Sequence, residues 1–167
     1  MQSAMDTART PSAYLTYLNS ILAPLLPTGQ FATMFYGVIN NKRNTLSYAA
    51  AASPPAVLFG KHGKTHRILE NTGTLLGAFK ESVYQMEEVE FNAGDCLLIY
   101  SDALIETENE NGKMLEIEHW IESIKENLKK EKDSFQNSFN QLLADFNEQC
   151  GKNLKDDLTL TAYFYNL

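Results

Sequence analysis

The sequence predicts an α+β fold, with antiparallel sheets and with helices that are segregated from most of the strands. Three observations lead to this prediction. After an N-terminal helix, short extended segments separated by turns fill the first half of the 167-residue chain. Two amphipathic helices then form a hairpin, and one last strand follows them. A strand meander, a helical hairpin and a closing strand together fit an α+β sandwich.

The composition limits the classes of protein to consider. A length of 167 residues suggests one domain over residues 1–167, and 44% apolar residues indicate a globular chain. The net charge of −7, which no basic stripe offsets, disfavours nucleic acid and anionic membranes as partners. No stretch reaches the roughly 18 apolar residues that a membrane span needs.

The expected location is the cytoplasm. The first ten residues are polar and small, and they lack the apolar core of an export signal. The two cysteines, Cys96 and Cys150, do not have the spacing of a metal site, so a reduced, intracellular protein is expected. Cys96 lies within an apolar run and is expected to be a core residue, because apolar surroundings raise the pKa of a thiol.

The first helix begins at a clear boundary. Thr10 is the expected N-cap, and Pro11 takes the first helical position. Pro24, Pro27 and Gly29 are expected to end the helix. Between them runs an apolar stripe at helical spacing, with an expected role in core packing, made of Leu15, Leu18, Ile21, Leu22, Leu25 and Leu26.

The extended segments are predicted from alternating side chains and from the turns between them. They cover residues 31–39, 45–52, 56–59, 65–69 and 83–91. Pro54 and Pro55 interrupt the pattern because proline cannot donate to a strand ladder. Residues 72–79 are predicted to form a loop that contains two glycines.

The strand at residues 96–100 is expected to be central and buried on both faces, because it is a short, uninterrupted apolar run bounded by turn residues. Asp102 follows it directly. A carboxylate there would be costly to bury unless a cationic group meets it. The alternative is a turn-forming aspartate that hydrogen-bonds its own backbone.

The second half contains the predicted helices and the last strand. A polar loop is expected at residues 106–113, and it includes the acidic side chains Glu106, Glu108 and Glu110. Helical stripes follow at residues 117–128 and 135–146, with Asp133 or Ser134 as the cap of the second helix. Residues 157–165 alternate apolar and polar side chains, as expected of a strand.

Two groups of carboxylates therefore lie at strand ends. Asp102 follows the central strand, and Asp156 and Asp157 come at the start of the last one. If these strands are antiparallel neighbours, the two groups meet at one edge of the sheet. Converging carboxylates repel one another unless a divalent cation lies between them, and hard oxygen ligands favour magnesium or manganese. The alternative is that these aspartates only cap turns.

Five short motifs follow one another over most of the chain: FATMFYGV at 31–38, LSYAAAASPP at 46–55, TGTLLG at 72–77, GDCLLIYSDALIE at 94–106 and DDLTL at 156–160. Their order resembles the metal-dependent protein phosphatases (the PPM or type-2C family), in the bacterial SpoIIE-like branch. The fourth corresponds to the family pattern G-D-x-L-L-x-Y-T-D-G-x-x-E, and the last to D-D-x-T-L.

This resemblance implies a four-layer α-β-β-α sandwich of antiparallel sheets with a pair of manganese or magnesium ions at one end. By motif match, Asp102 and Asp156 would be metal ligands, and Asp157 would lie beside them in a supporting role. The nucleophile would be a metal-activated water that attacks phosphoserine or phosphothreonine, so no catalytic side chain is expected. The implied partners are a phosphorylated regulatory protein, such as a STAS-type antagonist of an anti-sigma factor, and an upstream sensor or receiver domain.

The chain also departs from the family pattern. Family members carry an upstream G-D-x-x-G-H-G segment that supplies an aspartate bridging both metals, and nothing like it lies between Met1 and Thr10. The chain is therefore expected to be the C-terminal portion of the domain, without the N-terminal strands and the bridging aspartate. Ala103 stands where the family has glycine, and residues 50–53 are AAAS where the family has N-A-G-H.

Two further possibilities follow from these departures. The chain could be a catalytically degenerate binding module that keeps the phosphatase fold in a bacterial signalling pathway. It could also be stable only as a homodimer that covers exposed sheet edges.

Overall fold

The structure is a computed structural model that describes residues 10–130 and 135–165, without the side chains of His62, Lys129 and Lys130. It divides into two compact units, Met1–Pro55 with Glu70–Phe91 and Ala56–Leu69 with Asn92–Leu167. Each unit contains one antiparallel sheet with helical segments. The predicted α+β class is confirmed.

The first unit is built on helix α1 (Pro11–Leu25) and on strands β1 (Met34–Asn40), β2 (Thr45–Ala51) and β5 (Glu87–Glu90). The strands form an antiparallel sheet in the order β1-β2-β5. The start of α1 is as predicted, because the hydroxyl of Thr10 accepts a hydrogen bond from the amide of Ala13 and Pro11 opens the helix.

The buried face of α1 differs from the predicted stripe. Leu15 is fully buried, whereas Leu25 is 71% exposed. Asn19 takes a core position instead, and its amide is satisfied there: Nδ2 donates to the carbonyl of Phe79 at 2.9 Å, and Oδ1 accepts from the amide of Gly77 at 2.8 Å. A polar residue on the buried face cannot be anticipated from apolar periodicity, since its partners come from a distant loop.

Strand β5 is shorter than predicted. The expected strand over residues 83–91 is regular only at Glu87–Glu90. Upstream of it, Tyr84 is buried against Gly73, where a Cβ would collide with the tyrosine ring. The hydroxyl of Tyr84 donates to the carbonyl of Leu75 at 3.2 Å. This packing holds the segment in a loop and prevents ladder pairing.

The second unit contains strands β3 (Ala56–Phe59), β4 (His66–Leu69), β6 (Cys96–Tyr100) and β7 (Leu160–Phe164). They form an antiparallel sheet in the order β4-β3-β6-β7, so β6 is an interior strand, as predicted. Its helices are α2 (Ala103–Glu106), α3 (Ile117–Lys130) and α4 (Phe135–Gln149), with short 3-10 helices at Lys61–Gly63 and Gly151–Asn153. The predicted cap of α4 lies outside the described residues.

One core joins the sheet of the second unit to α3 and α4. Alternate residues of β6, Cys96, Leu98 and Tyr100, are buried in it together with Trp120 of α3 and Phe146 of α4. On β7, the side chains that face this core are partly buried and alternate with exposed ones, which confirms the predicted alternation, although the regular strand covers only Leu160–Phe164 of the predicted residues 157–165. No helix within the described residues is long and apolar enough to cross a membrane.

Ala52 has a backbone conformation that disfavours alanine. Its φ is +48°, in the left-handed region, and the resembled family has glycine at this position. A side chain in this region costs roughly 1–2 kcal/mol. Ala52→Gly should therefore raise the free energy of unfolding, by up to about 1 kcal/mol after the extra flexibility of the unfolded chain is subtracted. Thermal unfolding checks this, with an expected rise of about 2–4 °C.

The matched control is Ala51→Gly. Ala51 is fully buried in β2 and pairs with Met34, so glycine there should lower stability. Equal losses of stability in both variants would contradict the strain at Ala52.

Candidate metal centre

The pairing of β6 with β7 determines where the predicted ligands lie. The two strands are antiparallel, and their ladder ends with Tyr100 opposite Leu160. Beyond it, the amide of Ser101 still donates to the carbonyl of Thr159 at 2.9 Å. Asp102 leaves β6 at the end where Asp156 and Asp157 lead into β7, as the sequence predicted.

Asp102 is exposed at the start of the short helix α2. Its carbonyl accepts hydrogen bonds from the amides of Ile105 and Glu106, both at 2.9 Å. Its carboxylate makes no capping hydrogen bond with the helix. The alternative prediction is an aspartate whose side chain hydrogen-bonds its own turn. The side chain of Asp102 does not cap the helix that it begins.

Asp102 and Asp156 line the same open cleft, which has a volume of about 210 Å³. Asp157 does not line it, and its amide donates to Oδ1 of Asp156 at 2.7 Å. The structure thus brings two of the three predicted ligands to one cleft. Their role as metal ligands stays a prediction.

Further polar residues line the cleft, and two of them come from the predicted polar loop. Glu106, Glu108, Asn153 and Lys155 also line it. Glu106 follows Asp102 by four residues, and residues at this spacing share one face of a helix. That spacing would have pointed to Glu106 if the helix had been predicted in place of a loop.

Buried hydrogen bonds hold α2 in place behind Asp102. The hydroxyl of Thr107 donates to the carbonyl of Ala103 at 2.6 Å, and the indole of Trp120 donates to the carbonyl of Leu104 at 3.0 Å. Trp120 and Leu104 are both fully buried. The carboxylate of Asp102 is therefore carried by a backbone that is fixed by the core, although the carboxylate itself is exposed.

The loop after α2 is tied to the segment before β7. Nδ2 of Asn153 donates to the carbonyls of Glu108 and Asn109, at 2.9 and 3.1 Å. Lys152 and Glu110 form an ion pair at 2.7 Å, which lowers the pKa of Glu110 and raises that of Lys152. Because both side chains are exposed, solvent screens this pair and it adds little to stability.

The donor atoms of the cleft suit magnesium or manganese in type. Carboxylate oxygens are hard ligands, and four carboxylate side chains but no cysteine or histidine stand among the described residues that line this cleft. The number of ligands is too small for a complete metal site. Residues 10–130 and 135–165, as far as the structure describes them, contain no group of three or more ligating side chains placed to hold a metal ion. The described residues therefore fit part of a cation site, and a tight dinuclear centre needs further ligands.

Comparison with known proteins identifies the class. Residues 1–163 match the family described as Stage II sporulation protein E (SpoIIE), so the chain belongs to the SpoIIE family. Phosphoserine phosphatase RsbU of Bacillus subtilis (strain 168) is 30% identical over 168 residues, which is 96% of this chain and 47% of RsbU. The chain thus spans about half the length of that relative.

Solved structures support the same fold. The SiaA-PP2C domain of Pseudomonas aeruginosa has a TM-score of 0.76 at 16% identity, over 95% of this chain and 62% of that one. The manganese-presoaked phosphatase domain of SpoIIE from Bacillus subtilis has a TM-score of 0.62 at 16% identity, over 96% and 69%. The predicted phosphatase 2C-like fold is confirmed.

Neither cysteine has the exposure or the low pKa of a thiolate nucleophile. Cys96 and Cys150 are both buried and not in a disulfide. Burial, together with the charge of Asp95, raises the pKa of Cys96 to about 12, and burial also raises that of Cys150. The predicted core role of Cys96 is confirmed.

Both thiols should resist alkylation in the folded protein. At pH 8 a thiol of pKa about 12 is ionised in only about one molecule in 10,000. Mass spectrometry after iodoacetamide treatment should find no label on Cys96 or Cys150 until a denaturant is added. Asn111→Cys places an exposed thiol in a loop as the control and should react at once. Rapid labelling of native Cys96 would contradict its burial.

Proposed function

We propose that residues 1–167 belong to one metal-dependent serine/threonine protein phosphatase domain, which hydrolyses phosphoserine or phosphothreonine on a regulatory protein. The observation that carries the proposal is that Asp102 and Asp156, which match two separate family motifs, line one cleft at the shared end of two paired strands. Membership of the SpoIIE family and the similarity to a phosphoserine phosphatase support it.

In this proposal the carboxylates of Asp102 and Asp156 hold manganese or magnesium, with Asp157 in a supporting role. When bound, such an ion supplies a Lewis acid that activates water and neutralises phosphoryl charge. Glu106 and Glu108 add negative charge around the same cleft and favour the binding of a cation. Lys155 also lines the cleft, and its ammonium group would attract the dianionic phosphate of the substrate.

The partners we propose follow from the same family. The substrate would be a phosphorylated STAS-type antagonist of an anti-sigma factor in the cytoplasm, and an upstream sensor or receiver domain would control the activity. The name of RsbU, a phosphoserine phosphatase, supports serine as the phosphorylated residue.

Asp102→Ala and Asp156→Ala should each lower manganese-dependent hydrolysis of a phosphoserine peptide by at least about 100-fold. The reason is that losing a ligand should cost more than the 10–100-fold that is typical of residues which only orient ligands. The assay follows phosphate release by the full-length gene product across a manganese titration.

The matched control is Glu126→Ala, which removes an exposed carboxylate from α3 away from the cleft-lining set. This variant should keep the activity of the unaltered protein. Unchanged turnover in both aspartate variants would refute the proposed assignment of ligands.

A second candidate function is a degenerate binding module that keeps the phosphatase fold. The observation that favours it is the shortage of clustered ligands within the described residues. The replacement of the family's N-A-G-H by residues 50–53 points the same way.

Calorimetric titration of the full-length gene product with manganese separates the two candidates. The phosphatase predicts micromolar binding that is lost in Asp102→Ala. The module predicts no heat of binding up to millimolar manganese, together with intact folding by circular dichroism. Micromolar binding that survives Asp102→Ala would contradict both, because the ion would then lie elsewhere.

A further inference from the structure

Ser101 connects the two segments that carry the candidate ligands. Its hydroxyl donates to the carbonyl of Asp157 at 3.0 Å and accepts a hydrogen bond from the amide of Thr159 at 2.9 Å. Its own amide donates to the carbonyl of Thr159 at 2.9 Å. Ser101 is the residue directly before Asp102, and Asp157 directly follows Asp156.

These contacts extend the β6–β7 pairing beyond its regular end. The last ladder pair is Tyr100 with Leu160. Past this point the segment before β7 has no strand geometry, and a side chain replaces the next backbone partner. A hydroxyl suits this place because it donates and accepts at the same time, which a methyl group cannot do.

We propose that Ser101 is a positioning residue, which sets the separation of Asp102 and Asp156 by holding the backbone at Asp157 and Thr159. This inference rests on the proposed function, since it concerns the same cation site. Ser101 does not line the cleft, so it acts through the two aspartates and not by contact with the ion or the substrate.

A group that orients metal ligands has a measurable effect on affinity. Removing such a group typically weakens metal binding by 10–100-fold. The hydroxyl of Ser101 contacts only the backbone and not the carboxylates. Its removal should therefore weaken metal binding by the lower limit of this range, about tenfold. Its backbone hydrogen bond to Thr159 survives any side-chain substitution, so the strand pairing itself should persist.

The test compares Ser101→Ala with Ser101→Thr. Manganese binding by the full-length gene product, measured by the electron paramagnetic resonance of the free ion, should weaken about tenfold in Ser101→Ala. Ser101→Thr keeps the hydroxyl and should bind within about twofold of the unaltered protein. In the metal-free state, hydrogen exchange at the amide of Thr159 should accelerate up to about tenfold in Ser101→Ala, because this amide loses its acceptor.

Ser123→Ala is the matched control. It removes a serine hydroxyl that donates to Asp145 at 2.7 Å within the same unit but does not line the cleft. It should leave manganese affinity unchanged, so an equal loss in both alanine variants would overturn a role that is specific to Ser101. Ser101→Cys, which keeps the size of the side chain but hydrogen-bonds weakly, should bind like Ser101→Ala and serves if the alanine variant does not fold.

The outcomes distinguish the two proposals. Manganese binding that is lost in Asp102→Ala but unchanged in Ser101→Ala would overturn the positioning role and leave the proposed function standing. Binding that Ser101→Thr fails to restore would overturn the positioning role as well. Absence of manganese binding in the unaltered protein would overturn the proposed function, and the role of Ser101 with it.

Discussion

The candidate site depends on the register of one strand pair. Five residue pairs join β6 to β7, and they place Asp102 and Asp156 at the same end of the sheet. Core packing fixes this register, because Leu160, Ala162 and Phe164 face the helices while the residues between them are exposed. A slip of one residue would reverse every side chain of β7. The apolar alternation of the last strand therefore positions a polar cleft that lies outside the core.

The helical hairpin supports the same cleft indirectly, through the short helix α2. Trp120 of α3 is buried in the core of the second unit, and its indole nitrogen holds the carbonyl of Leu104. The short helix α2 is thus anchored by a residue 16 positions away in sequence. The backbone that carries Asp102 and Glu106 is therefore fixed by the core of the second unit.

The sequence predicted best where local pattern and burial agree. The bounds of β3 and β6 match the prediction, because short apolar runs between turn residues leave little choice. Prediction failed where a residue distant in sequence determines the local structure. Asn19 is buried because a loop about 60 residues later satisfies its amide. Tyr84 lies in a loop, where its ring packs against Gly73. At the site, the aspartates were found from motifs and strand ends. The position of Glu106 on the cleft was not predicted, because the helix at Ala103–Glu106 was not.

The two alanines that stand where the family has glycine differ in their physical consequences. Ala103 lies in the helix α2 and is buried, and a helical backbone suits alanine better than glycine, so this change leaves the geometry at Asp102 undisturbed. Ala52 has a positive φ, so its methyl group adds strain, but it belongs to the other unit. Neither replacement removes a carboxylate from the cleft. The question of catalyst or binding module therefore turns on how many further ligands reach Asp102 and Asp156, and not on the small residues that replaced family glycines.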